Sequence, residues 1–147
     1  MNLYFAYGSN MDQDQMLGRC PDAILLGCAT LVDYRLAFTI FSPKRQCGCA
    51  DIMPSIGDVV CGLLYRMTNA DRDAMDVFEG HPIHYRRVTV RVKSENGEVK
   101  ACSYEVVNKQ DGLRPSYHYL GLLQSAAARF EFPEKYQLLL RNIETVK

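Results

Sequence analysis

Apolar and polar positions alternate along much of the chain as far as Val107 and recur at helical spacing after it, so strands are expected first and helices last. Leu3-Tyr4-Phe5-Ala6-Tyr7 is a short strand that runs into the polar turn Gly8-Ser9-Asn10, where a helix is expected to open. Asp12 to Arg19 forms a short helix stopped by Cys20-Pro21. Ala29 to Phe41 places Leu31, Tyr34, Leu36, Phe38 and Ile40 in largely alternating order, as a long half-buried strand does. A loop is predicted over Ser42 to Cys49, a short strand over Ala50 to Met53 ending at Pro54, and a more fully buried strand over Val59 to Met67. Gly57 marks a turn and Gly62 a close approach of backbones.

Thr68-Asn69-Ala70-Asp71 resembles a capping box, with Ala74, Val77 and Phe78 on the apolar side of a helix that Gly80 stops. Tyr85 to Lys93 and Val99 to Val107 alternate on either side of Asn96-Gly97, which specifies a hairpin. Ser116 caps a helix running to about Arg129, and Pro133-Glu134 opens a last one with Tyr136, Leu139, Leu140 and Ile143 on one face. The total is about six strands and four helices, with helices inserted between antiparallel strands rather than alternating regularly with them. The expected class is therefore α+β, a small mixed, mainly antiparallel β-barrel with peripheral helices. Gly8 belongs to no GxGxxG or Walker pattern, which removes the best support for a nucleotide site.

The length, 147 residues with 48% hydrophobic, suits a single domain over 1–147. Seventeen basic and 17 acidic residues give a formal charge of +0, so no overall field attracts nucleic acid or an anionic membrane. No signal peptide or bilayer-spanning apolar run is visible, and a cytoplasmic protein is expected. The six cysteines include only one close pair, Cys47 and Cys49, and with scattered His81, His84 and His118 they make no familiar zinc spacing; free thiols and no metal are expected.

Two places carry candidate chemistry. At Gly8-Ser9-Asn10, a strand feeding a helix start leaves backbone N–H groups free beside the positive end of the helix dipole, a natural seat for a carboxylate. The plainer alternative is a glycine turn with Ser9 or Asn10 as helix cap. Glu79 stands at the C-terminal end of its helix, where the dipole repels negative charge. Burial by Val77 and Phe78 together with the dipole would lift its pKa and poise it as a general acid/base. Alternatively it is an exposed glutamate at a frayed end, paired with Arg86 or Arg87. Asp73 and Asp76 are expected on the solvated face of that helix.

Tyr4-Phe5-Ala6-Tyr7-Gly8-Ser9-Asn10-Met11, Arg19-Cys20-Pro21, Asp33-Tyr34-Arg35-Leu36, Ala50-Asp51-Ile52-Met53-Pro54, Gly57-Asp58-Val59-Val60-Cys61-Gly62, Met75-Asp76-Val77-Phe78-Glu79-Gly80, Tyr85-Arg86-Arg87 and Pro115-Ser116-Tyr117-His118-Tyr119 occur in this order. In this series the chain resembles the γ-glutamylcyclotransferase-like family along nearly its whole length. The resemblance implies a small mixed barrel and an enzyme that cyclises a γ-glutamyl group to 5-oxoproline with release of an amine or amino acid, without a cofactor. It implies a small-molecule γ-glutamyl substrate, with Glu79 as general acid/base. Tyr7, Gly8, Ser9 and Asn10 match the family's substrate-binding loop, whose backbone donors hold either the α-carboxylate or the developing charge on the γ-carbonyl oxygen. Tyr119 matches the last position of Pro-Ser-x-x-Tyr, and its phenol either bonds substrate, orients Glu79, or simply keeps its ring in the core and its hydroxyl at the surface. Cys61 stands where many relatives carry tryptophan, and Cys47-Gly48-Cys49 departs from a glycine-rich stretch. A non-catalytic module that binds a small acid on the same fold is the alternative function.

Overall fold

The computed structural model describes residues 2–146. Five strands, β1 (Asn2–Ala6), β2 (Ile24–Ser42), β3 (Cys47–Met67), β4 (Tyr85–Ser94) and β5 (Gly97–Val106), close into a barrel in the order β1-β3-β2-β4-β5. Every neighbouring pair is antiparallel except β1 with β5, which meet in parallel at Tyr4 and Cys102 and close the ring. Helices α1 (Gln13–Arg19), α2 (Asn69–Glu79), α3 (Tyr117–Arg129) and α4 (Glu134–Arg141) lie outside it. The α+β barrel expected from the patterning is present.

The strand count is five rather than six because β3 does not end at Pro54. Tyr34 pairs with Pro54 and Val32 with Val59, so residues 55–58 bulge out and pairing resumes beyond them. The bulge is held by Gly57, at φ +91°, whose N–H donates to Asp33 Oδ1 at 3.0 Å while Asp33 itself turns to φ 64°. Pro54, which has no N–H to lose, tolerates the position next to a bulge. Likewise β2 starts at Ile24 rather than Ala29, and the expected loop over 42–49 shrinks to a turn over 43–46, with Cys47 already paired to Ser42.

Side chains cap three helix starts, Thr68 and Ser116 as expected and Asp12 where the helix was expected already to have begun. Asp12, Thr68 and Ser116 accept from the backbone N–H of Gln15, Asp71 and Tyr119 at 3.1, 3.0 and 3.0 Å, each satisfying a first-turn donor. The exception is the turn after β1: Ser9–Met11 is a separate 3-10 turn, and the regular helix starts only after Asp12. Asp12 is the better cap because its own extended backbone frees its carboxylate for Gln15. On α4, Tyr136 and Leu140 are buried one turn apart, whereas Leu139, expected on the same face, is half-exposed.

Two packing features fix the wall that carries the site. Gly62 faces β1 so closely that a Cβ there would lie 2.3 Å from Ala6 O and 2.8 Å from the Phe5 ring. Gly62→Ala is expected to destabilise the fold by about 1–3 kcal/mol or more, the cost of overpacking against a backbone oxygen that cannot rotate away. Thermal denaturation of the purified variant measures it, and an unshifted midpoint would show that β1 and β3 are not in this register. Next to it, Cys61 is buried in the core.

Candidate active site

Glu79 is the last residue of α2, and Gly80 follows in the left-handed conformation at φ 68°, ending the helix. A Cβ on Gly80 would lie 2.6 Å from His84 Cδ2, so the glycine is required both by its dihedral and by the return of the chain. Glu79 faces a cavity of about 380 Å³ between α2, the loop after β1, the β2–β3 turn and the start of α3. That size suits a small metabolite. Burial pushes the Glu79 carboxyl above its ordinary range, opposed by the Arg19 guanidinium, the Asn10 amide and, more weakly, Arg45.

The surroundings of Glu79 differ from those expected in three respects. Val77 and Phe78 line the cavity beside the carboxylate but are largely exposed, and Tyr4, Asn10 and Tyr104 line it as well. Arg86 and Arg87 do not neutralise it either, since they pair with Glu105 at 3.3 Å and Asp76 at 2.6 Å. Asp76, expected in solvent, instead turns toward the barrel, where it accepts from Tyr104 Oη at 2.6 Å as well as from Arg87. It lies three residues before Glu79 and so shares its helix face. Asp73 is indeed exposed and lies 3.7 Å from Arg72 Nη2.

The loop residues divide their work. Gly8 is needed for close approach, because a Cβ would sit 3.2 Å from Ala50 Cβ and 3.4 Å from Tyr119 Oη. Among the described residues the Ser9 and Asn10 N–H groups make no backbone hydrogen bond, as expected for the first positions of a helical turn. The Asn10 side chain is buried and committed to the protein: Nδ2 donates to Glu79 Oε1 at 3.2 Å and to Tyr4 Oη at 2.9 Å. Its Oδ1 accepts from Gln15 Nε2 at 2.9 Å and Arg19 Nη1 at 3.1 Å. Gln15 Nε2 also donates to Ser9 Oγ at 2.8 Å, and Gln15 Oε1 accepts from Arg45 Nη2 at 2.7 Å. A continuous polar chain thus runs Arg45–Gln15–Asn10–Glu79.

Tyr119 lies on the cavity floor with both ring and hydroxyl buried, not with its hydroxyl at the surface, and it does not bond Glu79. Its Oη accepts from the Ala50 N–H at 3.0 Å, while Tyr85 Oη donates to Ala50 O at 2.7 Å, so two tyrosines hold the backbone of one residue of β3 from both sides. Tyr7 Oη donates to Tyr104 O at 2.6 Å, tying the loop to β5. Burial raises the pKa of all these phenols, which keeps them protonated as donors. Arg19, Arg45, Gln15 and His84 also border the cavity or its polar chain and were not singled out by the sequence reading; a residue in a tight turn such as Arg45 leaves no periodic trace. Among the described residues no group of three or more His, Cys, Asp or Glu is placed to hold a metal ion, and no helix is long and apolar enough to cross a membrane.

A raised carboxyl pKa has a consequence for stability. The folded state holds the Glu79 proton more tightly than the unfolded chain, whose value is about 4.3. Its contribution to stability is therefore fully present below that value and is lost as pH rises through the folded-state pKa. Denaturation of wild type and Glu79→Gln from pH 4 to 8 is expected to show wild type losing ground to the variant as pH rises; a constant difference would contradict the burial.

Residues 4–121 match the family model described as gamma-glutamyl cyclotransferase, AIG2-like. Gamma-glutamylcyclotransferase of Mus musculus is 31% identical over 97% of this chain and 78% of its own length, and that of Homo sapiens is 30% identical with the same coverage. A solved structure titled gamma-glutamyl cyclotransferase superposes with a TM-score of 0.93 at 30% identity, covering 99% of this chain and 89% of that one.

Proposed function

Because the chain belongs to the gamma-glutamyl cyclotransferase, AIG2-like family and is a γ-glutamylcyclotransferase-type enzyme, we propose that Glu79 is the general acid/base that closes a γ-glutamyl group into 5-oxoproline. The α-nitrogen of the glutamyl unit attacks its own γ-carbonyl carbon. The new C–N bond forms and the bond to the departing nitrogen breaks; the α-ammonium gives up two protons, and the departing nitrogen takes up two and leaves as an ammonium. Atoms balance without water or any other reactant. Nucleophile and electrophile are tethered, so the protein supplies the folded conformer and a route for the proton.

The observation that carries this reading is the placement of Glu79: enclosed, with a raised pKa, facing a cavity, and held by Asn10 rather than by a salt bridge among the described residues. A carboxyl poised above its ordinary range both accepts the ammonium proton and returns it more readily than a solvated glutamate. The Ser9 and Asn10 N–H groups beside Gly8 bind the glutamyl part of the substrate, and Asn10 acts a second time as the positioning residue of Glu79. Tyr7 and Tyr119 shape the floor on which the substrate folds. The whole chain, 1–147, works as one cyclotransferase unit. Six free cysteines fit a reducing compartment, the cytoplasm.

Two results test the reading. A panel of γ-glutamyl amino acids and γ-glutamyl amines is expected to yield 5-oxoproline with at least one member. The acid limb of kcat/KM is expected above the ordinary glutamate range. A folded protein that binds these compounds and turns over none would be a small-acid-binding module instead.

A further inference from the structure

Resting on the cyclotransferase reading, we infer that Arg45 is a specificity-determining residue of the pocket, receiving a carboxylate carried by the departing group. The cavity holds two guanidinium groups, Arg19 and Arg45, against the one carboxylate Glu79. Among the described residues neither arginine has an ion-pair partner, a state they share with Arg35, Arg66, Arg129 and Arg141 outside the cavity. Each pocket arginine is instead held by a neutral amide oxygen and an aromatic face. Arg19 bonds Asn10 Oδ1 at 3.1 Å and lies 5.1 Å over the Phe78 ring; Arg45 bonds Gln15 Oε1 at 2.7 Å and lies 5.0 Å over the Tyr119 ring.

Such a cation is oriented without being neutralised, which is the state an anion-recognition group needs before its ligand arrives. The Gln15 amide cannot turn away, because its nitrogen grips Ser9 Oγ and Asn10 Oδ1 at the same time. The two cations are not equivalent. Arg19 belongs to the inner wall, bonded to the residue that holds Glu79, and exerts the stronger pull on the Glu79 proton. Arg45 comes from the β2–β3 turn, among the exposed Phe41 and Pro43 at the solvent side of the cavity.

A glutamyl unit bound to the Gly8-Ser9-Asn10 backbone and reaching Glu79 occupies the inner part. The departing amine must then point toward the mouth, where it leaves and where Arg45 stands. A γ-glutamyl amino acid carries two carboxylates and one ammonium, the complement of two guanidinium groups and one glutamate. A γ-glutamyl amine leaves Arg45 with nothing to pair.

The test measures equilibrium binding to Glu79→Gln protein, which holds substrate without turning it over. The probes are γ-glutamyl-alanine, γ-glutamyl-ethylamine, which lacks only the departing group's carboxylate, and 4-aminobutanoyl-alanine, which lacks only the α-carboxylate. A charge-assisted pair predicts that γ-glutamyl-alanine binds at least about tenfold more tightly than γ-glutamyl-ethylamine. Adding Arg45→Gln is expected to collapse that ratio toward one, and Arg45→Lys to restore part of it; a purely structural arginine would not give this charge rescue. A ratio that survives Arg45→Gln overturns the inference. So does an Arg45→Gln effect confined to the comparison with 4-aminobutanoyl-alanine, which would assign Arg45 to the α-carboxylate. Release of 5-oxoproline by wild type, read in parallel, separates the outcomes: turnover with an unchanged ratio removes the role of Arg45 alone, and no turnover removes the cyclotransferase reading beneath it.

Discussion

Glu79→Gln is expected to lower the rate of 5-oxoproline release by about 100- to 10,000-fold, the usual worth of a positioned general acid/base, with the fold intact. Glutamine fills the same space and still accepts the bond from Asn10 Nδ2 through its amide oxygen, but it cannot take a proton from the α-ammonium. The loss should fall on kcat more than on KM, because the carboxylate acts on the proton in flight rather than on the resting carboxylates of the substrate. A variant that keeps more than a tenth of wild-type kcat would remove Glu79 as the base. The raised pKa makes a second demand on the same residue: a cost in stability at neutral pH that the variant does not carry.

The largest loss of stability from a single side chain is expected at Asp51. It is completely buried in β3, and its carboxylate accepts from Thr39 Oγ1 at 2.7 Å, Lys109 Nζ at 2.7 Å and the N–H groups of Ile52 and Val106 at 2.8 and 2.9 Å. Four donors from β2, β3, β5 and the segment after β5 therefore meet at one anion. Asp51→Ala removes the shared acceptor of all four and leaves Lys109 Nζ with Val106 O alone, which should cost about 3–5 kcal/mol. For a chain of this size that is a fall in midpoint on the order of 10 °C or more. Asp51→Asn keeps the shape and some of the bonds and should cost less; equal losses in the two variants would show that the charge is irrelevant. The preceding residue, Ala50, has its N–H and C=O bonded to Tyr119 and Tyr85, so the same loss of order reaches the floor of the pocket.

How far the sequence was legible follows the range of the interactions involved. Helix caps at Thr68 and Ser116 and the Gly80 stop are decided within a few residues and stand as read, and the hairpin forms with Glu95 and Asn96 in its turn and Gly97 already paired with Ser94. The continuity of β3 was not legible. Pro54 and Gly57 look locally like an end and a turn, and only pairing with β2, some 20 residues away along the chain, absorbs them as a bulge. Glu79 was found because a carboxylate at a helix C-terminus violates a local rule. Val77 and Phe78, its neighbours along the helix, do line its cavity, but Tyr4, Asn10 and Tyr104 also line it and are brought there only by the fold. Asp76 and Arg87 illustrate the same limit: two charged residues on an apparently solvated face and a strand find each other only when α2 packs on the barrel. The role of Asn10 as the partner of Glu79 lay hidden within a motif read as a substrate loop, and Arg45 in a four-residue turn carried no signal at all.

The most direct measurement of the central claim is the product balance from γ-glutamyl-alanine, or from whichever γ-glutamyl compound the panel identifies as a substrate. Intramolecular attack predicts 5-oxoproline and the free amine in equal amounts, no glutamate, and no ¹⁸O in either product when the reaction is run in ¹⁸O-water. Glutamate in place of 5-oxoproline, carrying ¹⁸O from the solvent, would mean that water rather than the α-amine is the nucleophile and would contradict the cyclisation.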